Sequence, residues 1–239
     1  SGKVFSVGDY ANVENLAATT YKAYSANSEG VHMRGNSESN VLSGSWHDDI
    51  LEGGGGNDHL VDFFAEIGWT YRQDSDRMYG GEGNDTITSY NGDDSLWGGV
   101  GNDWLVAGEY GHKRMYGGGG NDTYQIYGGY RASAVVTESF AEYGGYDVLL
   151  FDQGYSAGSL VLHRDQNDLI FSGAAGERSV VIEGFYDGSP TSGWAIDEIR
   201  FANDTSTIWT ASEVASWSVN RVPVLQSPIG ALTAGLDQL

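Results

Sequence analysis

Between residues 35 and 125 a large apolar side chain returns at nearly every ninth position: Leu42, Leu51, Leu60, Trp69, Met78, Ile87, Leu96 and Leu105, then Met115 and Tyr124 after one extra residue at Ala107. A repeat of this length matches neither the 3.6-residue period of a helix nor the strict alternation of a long half-buried strand. It fits a short strand with one inward side chain, followed by a turn that uses up the rest of the unit. After residue 125 the pattern changes to alternation. Asp147 to Phe151, Ser159 to Arg164, Asp168 to Ser172, Ser179 to Phe185 and Trp194 to Ala202 read as strands of a meander, with turns at Asp165-Gln166-Asn167 and Gly173-Ala174-Ala175-Gly176 and a short helix near Ser212 to Ser216.

The turn half of the unit is glycine-rich. Residues 35–125 hold 20 of the 36 Gly, so the excess over a usual share of about 7% belongs to one segment. Four stretches follow the same pattern, G-G-x-G-N-D-x-U-x with U large and apolar: Gly53 to Val61, Gly80 to Thr88, Gly98 to Val106 and Gly117 to Gln125. Adjacent glycines can adopt positive φ, which lets six residues curl with their carbonyls inward. A helical bundle is excluded, because each interior Gly costs about 1 kcal/mol relative to Ala. With 3 Pro and no three-residue period, collagen is excluded as well.

Charge then indicates what the curled turns hold. The chain has 33 Asp plus Glu against 12 Lys plus Arg, a net charge of -21, and residues 35–125 carry -12 of it. Such a field repels nucleic acid and anionic lipid and attracts cations. Inward carbonyls plus an Asp carboxylate form a hard oxygen cage. Ca²⁺ prefers that environment, taking 6–8 oxygens, whereas Mg²⁺ demands a tighter octahedron. No Cys and only five scattered His leave a soft metal without ligands. Hydrophobic residues make up 40% of the chain, which suits a folded core rather than disorder. No run approaches 18 apolar residues and no basic-then-apolar leader opens the chain, so neither a membrane span nor a signal peptide is expected. The Ser-Gly-Lys opening reads as that of an excised piece.

These units resemble the nonapeptides of RTX (repeats-in-toxin) proteins, the haemolysin-type calcium-binding repeats. The resemblance implies an all-β fold, a parallel β-roll with two nonapeptides per coil, its turns stacked in two columns and Ca²⁺ held between consecutive turns of a column. Turns of one column then stand 18 residues apart. At the sixth position of the unit one column reads Asp49, Ile67, Asp85, Asp103, Asp122, and the other Asn40, Asp58, Asp76, Asp94, Lys113. The metal ligands expected on this basis are Asp58, Asp76, Asp85, Asp94, Asp103 and Asp122, with the glycines Gly53, Gly54, Gly56, Gly80, Gly81, Gly83, Gly98, Gly99, Gly101, Gly117, Gly118 and Gly120. The best-formed sites are expected between the Asp85 and Asp103 turns and the Asp103 and Asp122 turns. Pairs of Asp58 with Asp76 and Asp76 with Asp94 are expected to be weaker. Ile67 leaves Asp49 without a partner in this scheme, and the Lys113 ammonium stands in for a cation. Should Asp62 to Thr70 be a looped-out insertion, the columns upstream of it fail.

The domain reading that follows is an N-terminal cap at 1–34, the roll at 35–125, a C-terminal capping block at 126–218 and a linker into a following module at 219–239. A solenoid exposes its last coil and needs an atypical end to cover it. The block from Asn121-Asp122-Thr123-Tyr124 through Gly144-Gly145-Tyr146-Asp147 to Ile196-Asp197-Glu198-Ile199-Arg200-Phe201 resembles the C-terminal flank of RTX toxins, which implies an antiparallel β meander that caps the roll and nucleates its folding. Val13-Glu14-Asn15-Leu16 resembles a common opening of such arrays. Asn220-Arg221-Val222-Pro223-Val224-Leu225 resembles the lead-in to a cadherin-like or immunoglobulin-like module.

Enzymatic readings fare worse. Gly154-Tyr155-Ser156-Ala157-Gly158 matches a nucleophile elbow, but a strand-like Leu160-Val161-Leu162 follows where a helix is required, and no Asp or Glu separates Ser156 from His163. No H-E-x-x-H is present. Neighbouring carboxylates such as Asp48-Asp49 and Asp93-Asp94 do not face one another across a cleft, as a glycosidase pair must. The reading is a non-enzymatic, calcium-dependent folding module of a bacterial protein, toxin or large adhesin, exported by type I secretion. Its partners are calcium and the secretion machinery, with no nucleic acid and no membrane span, and it is extracellular. The alternative is an adhesin module that binds a host-cell or surface glycan or peptide, with calcium structural and an aromatic face of Trp46, Trp69, Trp97, Trp104, Tyr79, Tyr90, Tyr110 and Tyr116 available. Stacking of those rings along a flat roll is the plainer account.

Overall fold

The computed structural model of the chain describes residues 3–6, 15–17, 30–62, 74–108, 110–127, 131–138, 145–152, 154–173, 179–186 and 195–217. Strands alternate between two facing sheets: β1 (Lys3–Ser6), β2 (Asn15–Ala17), β3 (Val31–Arg34), β4 (Val41–Ser43), β5 (Ile50–Gly55), β6 (His59–Val61), β7 (Arg77–Glu82), β8 (Thr86–Ser89), β9 (Ser95–Val100), β10 (Trp104–Ala107), β11 (Tyr110–Gly119), β12 (Thr123–Ile126), β13 (Arg131–Thr137) and β14 (Val148–Phe151). Odd-numbered strands pair in parallel with odd, and even with even. This follows from the nine-residue pattern: each x-U-x contributes one inward side chain, and each glycine turn carries the chain across to the other sheet.

The core is the ladder of eighth-position side chains. Leu42, Leu51, Leu60, Met78, Ile87, Leu96, Leu105, Met115 and Tyr124 are all buried, and Met33 and Leu149 extend the same row at either end. Trp69 and Ile67 lie outside the described residues. Ala107 is not the irregular residue: it ends β10, buried opposite Ser89 and Ile126, and the extra length falls in the connection to β11.

One connection breaks the period. Leu51 pairs with Met78 and Leu60 with Ile87, each 27 residues apart, whereas Met78 pairs with Leu96 at the regular spacing of 18. The connection from β6 to β7 is therefore longer by one nonapeptide than the one from β8 to β9. The proviso about Asp62 to Thr70 applies, and the two columns upstream of it exchange partners.

The flanks share the roll's geometry further than the pattern suggested. β1, β2 and β3 pair in parallel with later strands, so the roll includes strands within 1–34. Beyond residue 125, β13 and β14 continue the two sheets in parallel, as do β17 (Ser179–Glu183) and β18 (Glu198–Phe201). Among the described residues antiparallel pairing is confined to the C-terminal edge of each sheet: β15 (Leu160–Asp165) and β16 (Asp168–Gly173) close one sheet, and β19 (Asp204–Thr210) closes the other. The reversals cover the C-terminal edge of each sheet, beyond which no further coil stacks. Helix α1 (Ala211–Ser216) follows, with Thr210 as N-cap accepting from the Glu213 N–H, and it buries Ala211 and Val214. Phe151, Phe171, Phe201 and Trp209 pack ring against ring beneath this end. The residues from 218 onward, including the resemblance to a module lead-in, lie outside the described residues. Among the described residues no helix is long and apolar enough to cross a membrane.

Candidate metal centres

The turns of the odd-to-even crossings stack along one edge of the roll, and their sixth-position side chains form a continuous relay. The backbone N–H of Asn40 donates to Asp58 Oδ1, Asp58 to Asp85, Asp85 to Asp103, Asp103 to Asp122 and Asp122 to Asp147, all at 2.7–2.8 Å. Asp147 N–H donates in turn to Asp197 Oδ2 at 2.9 Å. Each Asp thus spends one oxygen on pinning the preceding turn. The other oxygen, Oδ2 of Asp58, Asp85, Asp103 and Asp122, is buried with no hydrogen-bond partner. A buried carboxylate oxygen left in this state is costly unless something positive meets it.

The space it faces is defined by the first glycine of each motif. A Cβ placed on Gly80 would stand 2.3 Å from Asp85 Oδ2 and 2.6 Å from Gly98 O. On Gly98 it would stand 2.3 Å from Asp103 Oδ2 and 2.6 Å from Gly117 O, and on Gly53 2.2 Å from Asp58 Oδ2 and 2.6 Å from Gly80 O. In each case an unsatisfied carboxylate oxygen of one turn and a carbonyl of the next converge on a gap that only glycine leaves open. These oxygens suit the hard, oxygen-only shell of Ca²⁺. The second and fourth glycines answer a different need: Gly81 and Gly83 have φ of 119° and 124°, and a side chain there would also meet the preceding turn's backbone.

The structure brings Asp85 beside Asp103 and Asp103 beside Asp122, as the spacing indicated. Asp58 is not beside Asp76. It faces Asp85, because the longer β6–β7 connection shifts the register by one unit. Burial pushes these acids up: Asp58 and Asp122 to about 6, Asp103 to about 7, and Asp85 also upward.

The opposite edge carries Asp49, Asp76, Asp94 and Lys113. Asp49 N–H donates to Asp76 Oδ1 at 2.7 Å, and Asp76 N–H to Asp94 Oδ1 at 2.8 Å. Asp49 is therefore not orphaned; both its oxygens are also held by Ser45 and Val31 of nearby backbone. Lys113 is fully buried and its Nζ lies 2.6 Å from Gly92 O, 2.6 Å from Tyr110 O and 3.3 Å from Asp94 Oδ2. Two carbonyls and a carboxylate surround a fixed ammonium where a cation site would otherwise continue.

Two ligand-type residues here escaped the sequence reading. Asp62 and Asp74 join Asp76 so that one oxygen of each lies within 4.8 Å of the others, all three buried. Oδ1 of Asp62 and Oδ1 of Asp74 have no hydrogen-bond partner. Burial, followed by repulsion from neighbouring carboxylates that include Asp94, pushes Asp62 to about 7 and Asp74 to about 6, and Asp76 upward as well. Asp62 and Asp74 sit at positions where complete units have glycine, so the motif hides them; the signal available was two acids flanking the one irregular unit. The asparagine at the fifth position was also passed over. Asn84 N–H donates to Asn57 Oδ1, Asn102 N–H to Asn84 Oδ1 and Asn121 N–H to Asn102 Oδ1, a second rail beside the aspartates.

Elsewhere the chemistry is structural. Ser156 begins a short 3-10 turn, Ala157–Ser159, that leads into β15, and its backbone N–H donates to Ser159 Oγ at 3.0 Å. Tyr79, Trp97 and Tyr116 stack along the outer face with centroids 4.4 and 5.4 Å apart, so their faces are turned to one another.

The RTX calcium-binding nonapeptide repeat matches this chain in four copies, over residues 32–60, 72–105 and 106–124. No curated protein matches it. The repeats of residues 32–124, which build the stacked turns and the core ladder between them, are thus RTX calcium-binding nonapeptide repeats, a structural and non-catalytic family of repeats.

Proposed function

We propose that this module is a calcium-triggered fold of a bacterial protein exported by type I secretion, extended and carboxylate-rich inside the cell and assembled into a roll outside it. The observation that supports this most directly is the row of buried, unpartnered Oδ2 atoms at Asp58, Asp85, Asp103 and Asp122. Neighbouring turns are one strand spacing apart, about 5 Å, and two ionised carboxylates at that distance repel by about 3 kcal/mol at an effective dielectric of 20. Stacking the turns near neutral pH thus sets each Asp against the next and against its own burial. Ca²⁺ held by Oδ2 of Asp58, Asp85 and Asp103 with the carbonyls of Gly80, Gly98 and Gly117 would supply the compensating charge. The residues do the rest: Oδ1 atoms fix the turn-to-turn register, Asn57, Asn84 and Asn102 hold it from the side, and the glycines keep the gaps open.

Extracellular calcium modules typically bind at 10⁻⁴ to 10⁻³ M, a range that external but not cytosolic calcium reaches. Binding free energy then becomes folding free energy only after export. A module without Cys that is fastened by metal after crossing a membrane needs no oxidising compartment. RTX repeat proteins are generally secreted by bacteria, which supports the extracellular placement. Far-UV circular dichroism during chelation tests the proposal. Loss of the β signal in chelator and its cooperative return at millimolar Ca²⁺ are expected, and a β signal indifferent to chelator would overturn it.

A further inference from the structure

The aspartate column does not stop where the recognisable repeats stop. The repeat match ends at residue 124, yet the next turn of the same edge is built by Gly145-Tyr146-Asp147 in the register of a complete motif. A Cβ on Gly145 would strike Gly120 O at 1.5 Å, as one on Gly120 would strike Gly101 O at 1.9 Å and one on Gly101 would strike Gly83 O at 1.9 Å. Tyr146 N–H donates to Asn121 Oδ1 at 2.7 Å, Asp122 N–H to Asp147 Oδ1 at 2.8 Å, and Val148 N–H to Asp122 O at 2.9 Å. Gly145, Tyr146 and Asp147 thus occupy the fourth, fifth and sixth positions of one more turn.

What differs is the other half of the cradle. In the preceding sites the unsatisfied Oδ2 faces a carbonyl of the next turn's first glycine. At Gly117 a Cβ would instead stand 2.2 Å from Asp122 Oδ2 and 2.3 Å from the Tyr124 hydroxyl, which accepts from Gly117 N–H at 2.6 Å. A third carboxylate arrives from the other sheet: Glu138, directly after β13, brings one oxygen within 4.8 Å of one oxygen each of Asp122 and Asp147. Opposite ligands of one Ca²⁺ stand about 5 Å apart, so a single ion can touch all three. Asp122 is 1% exposed and its Oδ2 has no hydrogen-bond partner.

We infer that Asp122, Glu138 and Asp147 form a further Ca²⁺ site, outside the nonapeptide array, that joins the last complete repeat to the C-terminal block. Glu138 follows Thr137, which pairs with Tyr116, so it stands level with Gly117, where a complete turn has its first glycine, and adds a carboxylate there. Three carboxylates instead of an aspartate and carbonyls give this site more negative charge than the regular ones, and Ca²⁺ affinity rises with ligand charge. Such an ion ties β13 and β14 to the roll through Glu138 and Asp147, so the block that covers the end of the core becomes calcium-dependent although it lacks the repeat. The inference rests on the reading of the module as calcium-binding.

Calcium titration of the full chain, by calorimetry for stoichiometry and by tryptophan fluorescence for the Trp209 and Trp217 cluster, tests it. Glu138→Gln keeps the length and an acceptor oxygen, and Asp147→Asn keeps the acceptor for Asp122 N–H, so both leave the turn able to form. Each is expected to remove one bound Ca²⁺ and to weaken the fluorescence transition by at least tenfold. That follows from outer-shell losses alone, which cost about 10- to 100-fold at metal sites. Asp103→Asn, in the array, should lower the overall stoichiometry without this selective effect on the C-terminal tryptophans. Unchanged stoichiometry and midpoint in both Glu138→Gln and Asp147→Asn, in a chain that otherwise binds calcium, would overturn the site alone. Absence of calcium binding by the unmutated chain would overturn the calcium reading with it.

Discussion

At the scale of single residues, two kinds of glycine and two kinds of cation decide the roll. The first glycine of each motif has no positive φ, and its lack of a side chain matters because of what would be displaced. Gly80→Ala keeps an ordinary backbone and inserts a methyl against Asp85 Oδ2 and Gly98 O. It is expected to remove one bound calcium with the remaining array still titrating, measured as stoichiometry. Gly81→Ala should instead destabilise the roll itself, since φ is 119° and the Cβ would meet Gly54 O at 2.1 Å. Lys113 is the second kind of cation, a permanent one. It is buried with Asp94 and two carbonyls, so Lys113→Met strands a buried carboxylate and should cost about 3–5 kcal/mol in calcium-saturated denaturant unfolding.

At the scale of elements, the irregular connection between β6 and β7 adds chemistry to the roll rather than only length. It places Asp62 and Asp74 beside Asp76, where regular turns supply one carboxylate. The double substitution Asp62→Asn with Asp74→Asn lowers the charge of this cluster without removing its oxygens. Weaker calcium binding at one site is expected, together with a higher metal-free stability, because two of the acids that resist burial are gone. Equal calcium affinity in variant and parent chain would show that the cluster holds no ion. The flanking strands follow the same logic of length and edge. β13, β14, β17 and β18 stay parallel because they still have a coil to stack on, and β16 and β19 run against them where the sheets end, with β15 returning antiparallel to β16.

At the scale of the molecule, the buried acids set the pH response. Asp58, Asp74 and Asp122 sit at about 6, and Asp62, Asp103 and Asp147 at about 7, all raised from 3.8, with burial the largest cause. The metal-free roll therefore holds protons that the unfolded chain releases. Its stability from these groups is complete below about pH 4 and is lost as pH rises through 6 to 7. In chelator, acidification from pH 8 to 5.5 should restore part of the β signal. With calcium present the dependence should reverse, and binding near pH 6.5 should release protons, detectable as a buffer-dependent heat of binding. Metal-free stability that rises with pH would contradict the burial of these carboxylates.

How much of this was legible beforehand differs by feature. The nonapeptide period by itself determined the inward side chains Leu42, Leu51, Leu60, Met78, Ile87, Leu96, Leu105, Met115 and Tyr124, the turn aspartates and their preference for a hard cation, because each is a local consequence of residue type at fixed spacing, whereas the parallel two-sheet roll came from the resemblance of the units to RTX repeats. The partner of each turn was a different matter. Whether Asp58 meets Asp76 or Asp85 depends on whether one nine-residue unit enters a sheet or lengthens a connection. Both choices keep every apolar residue in phase, so only tertiary pairing decides between them. The same holds for Asp62, Asp74 and Glu138. No spacing rule marks them, and they become ligands only because stacking of distant strands carries their oxygens to the unsatisfied edge of a neighbouring turn.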